Sequence, residues 1–448
     1  MTGAARETFT SRLGVRMTML GVAVGIGNVW RFPYLVGKFG GSAFVLFYVV
    51  LVVLIGIPAL MAEWVLGRHT RRGTLGAFAR TRLPFGKQVG WLLFLVVIAA
   101  TGYYTSVIGW VALYGVSELA RLIGVRFDPS GILPPESGFS ARSLLLQMIC
   151  TAGVTLVCAI VLIKGLRRGI ERVSIVLIPT LLVVLLLLIV RALTLPGAWA
   201  GVQWYLLKFR PQDFTARVAV AALGHTMFTL SLGGTFMVVY GSYLNERDAL
   251  RSASLWTAVG DTASGLLAGL AIFPAVFALG LEPSSGPALI FATLPKVFAQ
   301  MPAGAFFGFL FFIGLFGAGY LSDVASFEVV IAGLTDNTTL TRTRAVWITA
   351  ALVFVAAIPP MINMRIFVPW DLTFGSGMQT LGALLSVITV AWSLDRATAL
   401  RELSDGDASP PGWMPWLYGW LRFVVPSAIV FVGVWWLLTD VLKLTSGV

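Results

Sequence analysis

Residues 21–33 read GVAVGIGNVWRFP. The stretch lies inside an apolar run long enough to be a membrane helix, yet Gly21, Gly25 and Gly27 crowd its middle, and Asn28, Arg31 and Pro33 follow. Glycines at this density disfavour helix. Backbone left unpaired at membrane depth is costly unless it lines a cavity or binds something. A helix broken there offers carbonyl oxygens to a cation and N–H groups to an anion, the arrangement of ion-coupled secondary transporters. Glycines also permit close helix crossings, so tight packing is the competing reading.

Outward from this stretch the chain is apolar throughout. Of 448 residues, 58% are hydrophobic and 12% charged, with mean hydropathy +0.88. That excludes a soluble domain and implies an all-α polytopic membrane protein in a lipid bilayer. About eleven segments suffice to span it, near 13–36, 41–66, 88–120, 143–163, 173–194, 217–243, 252–280, 304–334, 345–361, 369–394 and 416–440. The net charge of +12 sits in short loops, so it implies membrane orientation and no nucleic acid. Arg6, Arg12 and Arg16 share a side with Arg68, Arg71, Arg72, Lys164, Arg167 and Arg168. That side is expected to be cytoplasmic, with the C-terminus external, in a plasma (inner) membrane. No cleavable leader is expected at Met1–Arg16. Cys150 and Cys158 are two helical turns apart, too far for a disulfide.

A second interrupted run, FTLSLGGTF at 228–236, falls in the sixth span. Breaks in the first and sixth spans imply two inverted five-helix repeats with a binding site between the breaks. The expected division is a cytoplasmic arm at 1–12, a first repeat at 13–194, an external loop at 195–216, a second repeat at 217–394 and an additional eleventh helix at 416–440. A helical external loop is expected at 281–303.

SRLG at 11–14, GNVWRFPYL at 28–35, GGSAF at 40–44, GIPALMAEWVLGR at 56–68, GIERVSIVLIPTL at 169–181, FTLSLG at 228–233 and AGLAIFP at 268–274 together resemble the neurotransmitter:sodium symporters, bacterial members in particular. The resemblance implies a sodium-coupled symporter importing an amino acid by alternating access, with one or two Na+ ions as its co-substrates. It places a first sodium among the Ala23 carbonyl, Asn28, Thr229 and a residue of the seventh span, Gly260 or Asp261, of which only Asp261 carries a side-chain oxygen. It places a second among the carbonyls of Gly21, Val24 and Ala318 with Ser322. There Leu321 stands where the family carries an oxygen, and the adjacent Asp323 could rebuild the site. A substrate carboxylate would meet the N–H groups of Gly25, Ile26 and Gly27 and the Tyr104 hydroxyl, and its amino group would lie near Ala23, Phe228 and Thr229. Its side chain would lie among Ala100, Val107, Phe228, Ser231, Gly234, Asp323 and Ser326. Ala100 and Gly234 open space, and Asp323 and Ser326 add polarity, so the expected side chain is bulky, aromatic or polar. Gly25 stands where amine-transporting relatives carry Asp. Asp323 as counter-charge keeps an amine substrate as the alternative.

The resemblance also implies gates: Arg31 with Asp371 outside, and Arg6 with Asp336 near Tyr243 inside. Glu63 should brace the broken sixth helix. His225 replaces a Gln that, with the residue matched by Tyr48, holds chloride in some relatives; a carboxylate at Asp261 makes chloride unnecessary here. The chain shows no nucleophile elbow, phosphate loop or metal motif of an enzyme. A channel would need a continuous pore. A non-transporting membrane sensor remains an alternative.

Overall fold

The computed structural model describes residues 7–245, 248–283, 289–407 and 411–441. Among the described residues, nine helices are long and apolar enough to cross a membrane: Ser42–Thr70, Gly86–Leu122, Ala141–Ile163, Leu166–Leu193, Leu250–Ala278, Gly304–Asn337, Arg342–Met361, Met364–Ser393 and Met414–Thr439. Two further spans are interrupted. The first runs as Arg12–Ala23 and Gly27–Lys38, bent by 52°. The sixth runs as Ala216–Thr229 and Phe236–Gly241. The spans expected from hydropathy are thus present, and among the described residues there is no strand. The fold is two inverted five-helix repeats with a further helix after them.

Each interruption has a local cause. The first span starts at Ser11, whose hydroxyl accepts from the Gly14 N–H at 2.9 Å, an N-cap. It stops at Val24, which turns extended. A Cβ on Gly25 would lie 2.5 Å from Ser322 Oγ and 2.8 Å from the Tyr104 hydroxyl, so glycine lets both hydroxyls close on the break. In the sixth span Ser231, Gly233 and Thr235 all take positive φ, at 53°, 84° and 57°. That is uncommon backbone for non-glycine residues and is held where surrounding structure dictates it.

Among the described residues, the most extensively packed pair is the third span against the eighth. Outside the spans, Glu7 accepts the Leu166 N–H at 2.9 Å, and Glu171 takes the Thr10 hydroxyl at 2.5 Å and its N–H at 3.2 Å. These tie the segment before the first span to the start of the fifth. The helical loop expected at 281–303 contains Leu289–Gln300; 284–288 lie outside the described residues. Helix Arg396–Leu403, between the tenth and eleventh spans and capped by Asp395, was not legible in the hydropathy. Its Glu402 holds the buried Arg68 at 2.9 Å, and Asp405 beyond it holds Arg251 at 2.8 Å. Cys150 and Cys158 are free thiols.

Gly233 is the tightest test of the sixth-span break. A Cβ there would overlap the carbonyl oxygen of Gln379 in the tenth span. Gly233→Ala should therefore cost about 2–5 kcal/mol, from left-handed backbone and steric overlap together. Gly153, with nothing within 4 Å of its missing Cβ, should tolerate alanine within about 1 kcal/mol. Thermal melting of the two purified variants checks this. Equal melting temperatures would refute it.

Candidate functional site

The two breaks face one another, and side chains satisfy their unpaired backbone. The Ser231 hydroxyl donates to the Val22 carbonyl at 2.8 Å. Ser322 donates to the Val24 carbonyl at 3.2 Å. The Gly25 N–H donates to Asn28 Oδ1 at 2.9 Å, and the Ile26 N–H donates to the Tyr104 hydroxyl at 3.1 Å. The Gly233 N–H donates to Glu63 Oε1 at 2.6 Å, the brace expected of Glu63.

Beside the first break lies a cluster of oxygens. Asp261 is fully buried. Its Oδ1 accepts from Asn28 Nδ2 at 2.7 Å, and its Oδ2 accepts from the Thr229 hydroxyl at 3.0 Å and the Tyr48 hydroxyl at 3.4 Å. Asn28 Nδ2 also reaches Thr229 Oγ1 at 3.1 Å. Ala23 is buried at the end of the first half-helix. All the carboxylate's side-chain partners are neutral; no cationic side chain joins it among the described residues. A charge so placed is expensive unless a cation compensates it. Of Gly260 and Asp261, the second is the one inside this cluster. Gly260 faces Leu20.

At the second expected ion position the Ser322 hydroxyl meets the Val24 carbonyl, Gly21 lies against Leu321 and Ser174, and Ala318 is buried one turn before Ser322 on the same helix. Leu321 packs against Gly21: its Cδ1 would be 3.3 Å from a Cβ on Gly21. The hydroxyl of Ser174, from the fifth span, would lie equally close, at 3.3 Å. Sequence reasoning missed Ser174 because only tertiary packing brings it there.

Between the breaks is a cavity. Its lining includes Ala23, Gly25, Gly27, Asn28, Ala100, Tyr104, Phe228, Thr229, Ser231, Ser322 and Ser326, all anticipated, and also Val22, Thr101, Tyr103, Phe236 and Gln379, which were not. Ile26 contributes its N–H to Tyr104. Three expected lining residues are elsewhere. Val107 is buried outside it. Gly234 is covered by the Phe236 ring, which a Cβ there would overlap. Asp323 is a correction of more consequence. It is fully buried on the far side of its helix, accepting from the Thr105 hydroxyl at 2.9 Å and the Cys158 thiol at 3.6 Å. Neighbouring positions on a helix point about 100° apart, so with Ser322 on the cavity Asp323 faces the third and fourth spans.

The outer gate is placed differently from expectation. The Arg31 guanidinium bonds to Ser376 Oγ at 3.2 and 3.3 Å and stacks 4.3 Å over the Phe228 ring. It makes no ion pair with Asp371, which faces Tyr103. The wide turn of Asp371–Gly377 presents Ser376 to the arginine instead. At the other end, Asp336 accepts the Gly73 N–H at 2.7 Å, and the Tyr243 hydroxyl donates to Glu328 at 2.6 Å. Glu328 pairs with Arg342 at 2.6 Å. Arg6 lies outside the described residues. His225 is buried against Phe32, Phe44 and Tyr48, with neither ring nitrogen hydrogen-bonded.

The chain matches the family model described as the sodium:neurotransmitter symporter family over residues 6–123 and 141–443. It is 31% identical over 442 residues to the uncharacterized sodium-dependent transporter YhdH of Bacillus subtilis (strain 168), across 95% of this chain and 96% of that protein. It is 33% identical over 452 residues to an uncharacterized sodium-dependent transporter of Haemophilus influenzae, across 95% and 97% of the two chains. Among solved structures it resembles MhsT, crystallised with L-phenylalanine, with a TM-score of 0.82 and 31% identity over 96% of this chain and 99% of that one.

The position of Asp323 predicts how little it matters to binding. Asp323→Asn keeps the side chain's size and a partner for Thr105 while removing a carboxylate that only neutral groups meet. It should melt at the wild-type temperature or above. Ligand affinity should stay within about twofold, well short of a lost hydrogen bond to a charge. A large loss of affinity in titration calorimetry would put Asp323 back on the cavity.

Proposed function

The chain belongs to the sodium:neurotransmitter symporter family, a family of transporters, and from that premise we propose that it imports an amino acid together with sodium by alternating access. The observation that carries this reading is the Asp261 carboxylate, buried among Asn28, Thr229 and Tyr48 beside a broken helix. Oxygens of this kind suit a small hard cation. The first sodium is bound by the Ala23 carbonyl, Asn28, Thr229 and Asp261. The second draws on the carbonyls of Gly21, Val24 and Ala318 with Ser322, and it is the weaker site because Leu321 supplies methyl groups where an oxygen is needed. Coupling follows if sodium favours the conformation in which the substrate also binds.

The substrate carboxylate is received by the N–H groups at Gly25, Ile26 and Gly27 and by the Tyr104 hydroxyl, the polarity of a helix start. The amino group rests against the unwound backbone near Ala23, Phe228 and Thr229. The side chain lies toward Ala100, Ser231 and Ser326. Two observations favour an amino acid over an amine. Gly25 offers no carboxylate, and Asp323 lies outside the cavity. A relative solved with L-phenylalanine supports the same class. The protein sits in the plasma membrane with its N-terminus cytoplasmic, the arm 1–12 preceding repeats at 13–194 and 217–394. The outer gate closes when Arg31 leaves Ser376 for Asp371 over Phe228. The inner gate gathers Arg6, Tyr243 and Asp336.

Sodium should raise the melting temperature of the purified protein relative to potassium, since binding to the folded state alone stabilises it. Asn28→Ala and Thr229→Ala should remove most of that rise. If both variants keep it in full, the first ion site is misplaced.

Uptake into proteoliposomes should be equal in chloride and in gluconate, because Asp261 supplies the negative charge next to Tyr48. A strict chloride requirement would refute this and point to an anion between Tyr48 and His225.

A further inference from the structure

The tenth span reaches the binding cavity through a contact between glycines. Gly233, in the sixth-span break, and Gly382, in the tenth span, lack the Cβ atoms that would overlap Gln379's and Gly233's carbonyl oxygens respectively. The two backbones therefore touch. Gln379 lies one turn before Gly382, and this approach carries it to the cavity wall. It stands there with Phe236, whose ring covers Gly234.

The other polar side chains on the wall are already engaged. Asn28 and Thr229 bond to Asp261. Thr101, Ser231, Ser322 and Ser326 each donate to a backbone carbonyl. Tyr104 takes the Ile26 N–H, and Tyr103 faces Asp371. Gln379 lines the cavity, has no hydrogen-bond partner among the described residues, and its side-chain polar atoms are not fully buried. A carboxamide offers two donors and an acceptor with two lone pairs. The same cavity is lined by the aromatic residues Phe228, Phe236, Tyr103 and Tyr104, a wall that favours a flat aromatic group.

We propose that Gln379 is a specificity-determining residue of this pocket, reading a neutral hydrogen-bonding group at the end of an aromatic substrate side chain: a phenolic hydroxyl or a ring N–H. This rests on the amino-acid symport reading and narrows its substrate class to tyrosine- or tryptophan-like molecules over phenylalanine. A plain phenyl ring desolvates the amide without replacing its lost water. A hydroxyl or ring N–H restores a partner, and the discrimination expected from one neutral hydrogen bond is about 5- to 10-fold. Gln379 and Phe228 also border a second cavity, on the Arg31 side.

The test is binding of L-tyrosine, L-tryptophan and L-phenylalanine in sodium, by titration calorimetry, to the full-length protein and to Gln379→Leu and Gln379→Met. Wild type should hold tyrosine or tryptophan about 5- to 10-fold tighter than phenylalanine. Both variants should bring the ratio to within about twofold while keeping or improving phenylalanine affinity, because only the polar group is lost. Retention of the sodium-dependent rise in melting temperature identifies a folded variant. An undiminished preference in both variants overturns the role of Gln379, as does a wild type that binds phenylalanine as tightly as the other two. A wild type that binds none of the three while sodium still raises its melting temperature overturns this narrowing alone; a wild type with no sodium-dependent rise overturns the symport reading itself.

Discussion

Unpaired backbone in the middle of a membrane must be satisfied from within the protein, and both breaks in this chain impose that demand at one place. Val22 and Val24 leave carbonyls free, and Gly25, Ile26 and Gly233 leave N–H groups. Ser231 and Ser322 bond the carbonyls; Asn28, Tyr104 and Glu63 take the N–H groups. These partners come from the first, second, third, sixth and eighth spans. The breaks thus act as the point at which the bundle is tied together. A helix that shifted relative to the others would strand a polar group in hydrocarbon, costing more than the bond itself.

The same demand explains the candidate site. Groups that close the breaks are also the groups a ligand would meet: Asn28 bonds its own Gly25 and also Asp261, and Tyr104 holds Ile26 while bordering the cavity. A ligand that enters must exchange with these internal bonds, which links occupancy to backbone geometry. Such linkage is what alternating access requires, since a ligand shifts a conformational balance only through interactions that differ between states. Asp261 fits this picture because it bonds Asn28 and Thr229, which line the cavity, whereas Asp323 and Glu63 bond Thr105, Cys158 and the Gly233 N–H, which do not.

Glycine governs which helices come close enough to contribute. Gly25 admits Ser322 and Tyr104 against the first break, and Gly233 with Gly382 admits the tenth span against the second. Close approach through small residues is a general route to membrane helix association. Here it also decides what lines the pocket, because Gln379 arrives only through that contact.

The chain's own order of residues determined the all-helical, multi-span architecture, since twenty-residue apolar runs have no other stable form in a bilayer. It also determined where the helices break, from the glycines at 21, 25, 27, 233 and 234, and the local motifs made Asn28, Thr229, Tyr104 and Phe228 legible as site residues. Helix Arg396–Leu403 escaped because its charges pair with Arg68, a partner more than three hundred positions away. What only the tertiary structure decided was direction and adjacency. Asp323 and Ser322 are neighbours in sequence, yet one faces Thr105 and Cys158 while the other faces the cavity. Arg31 meets Ser376 in place of Asp371, one wide turn away. Gln379 and Ser174 carry no signal in their own surroundings, because their positions depend on how closely two distant backbones can approach.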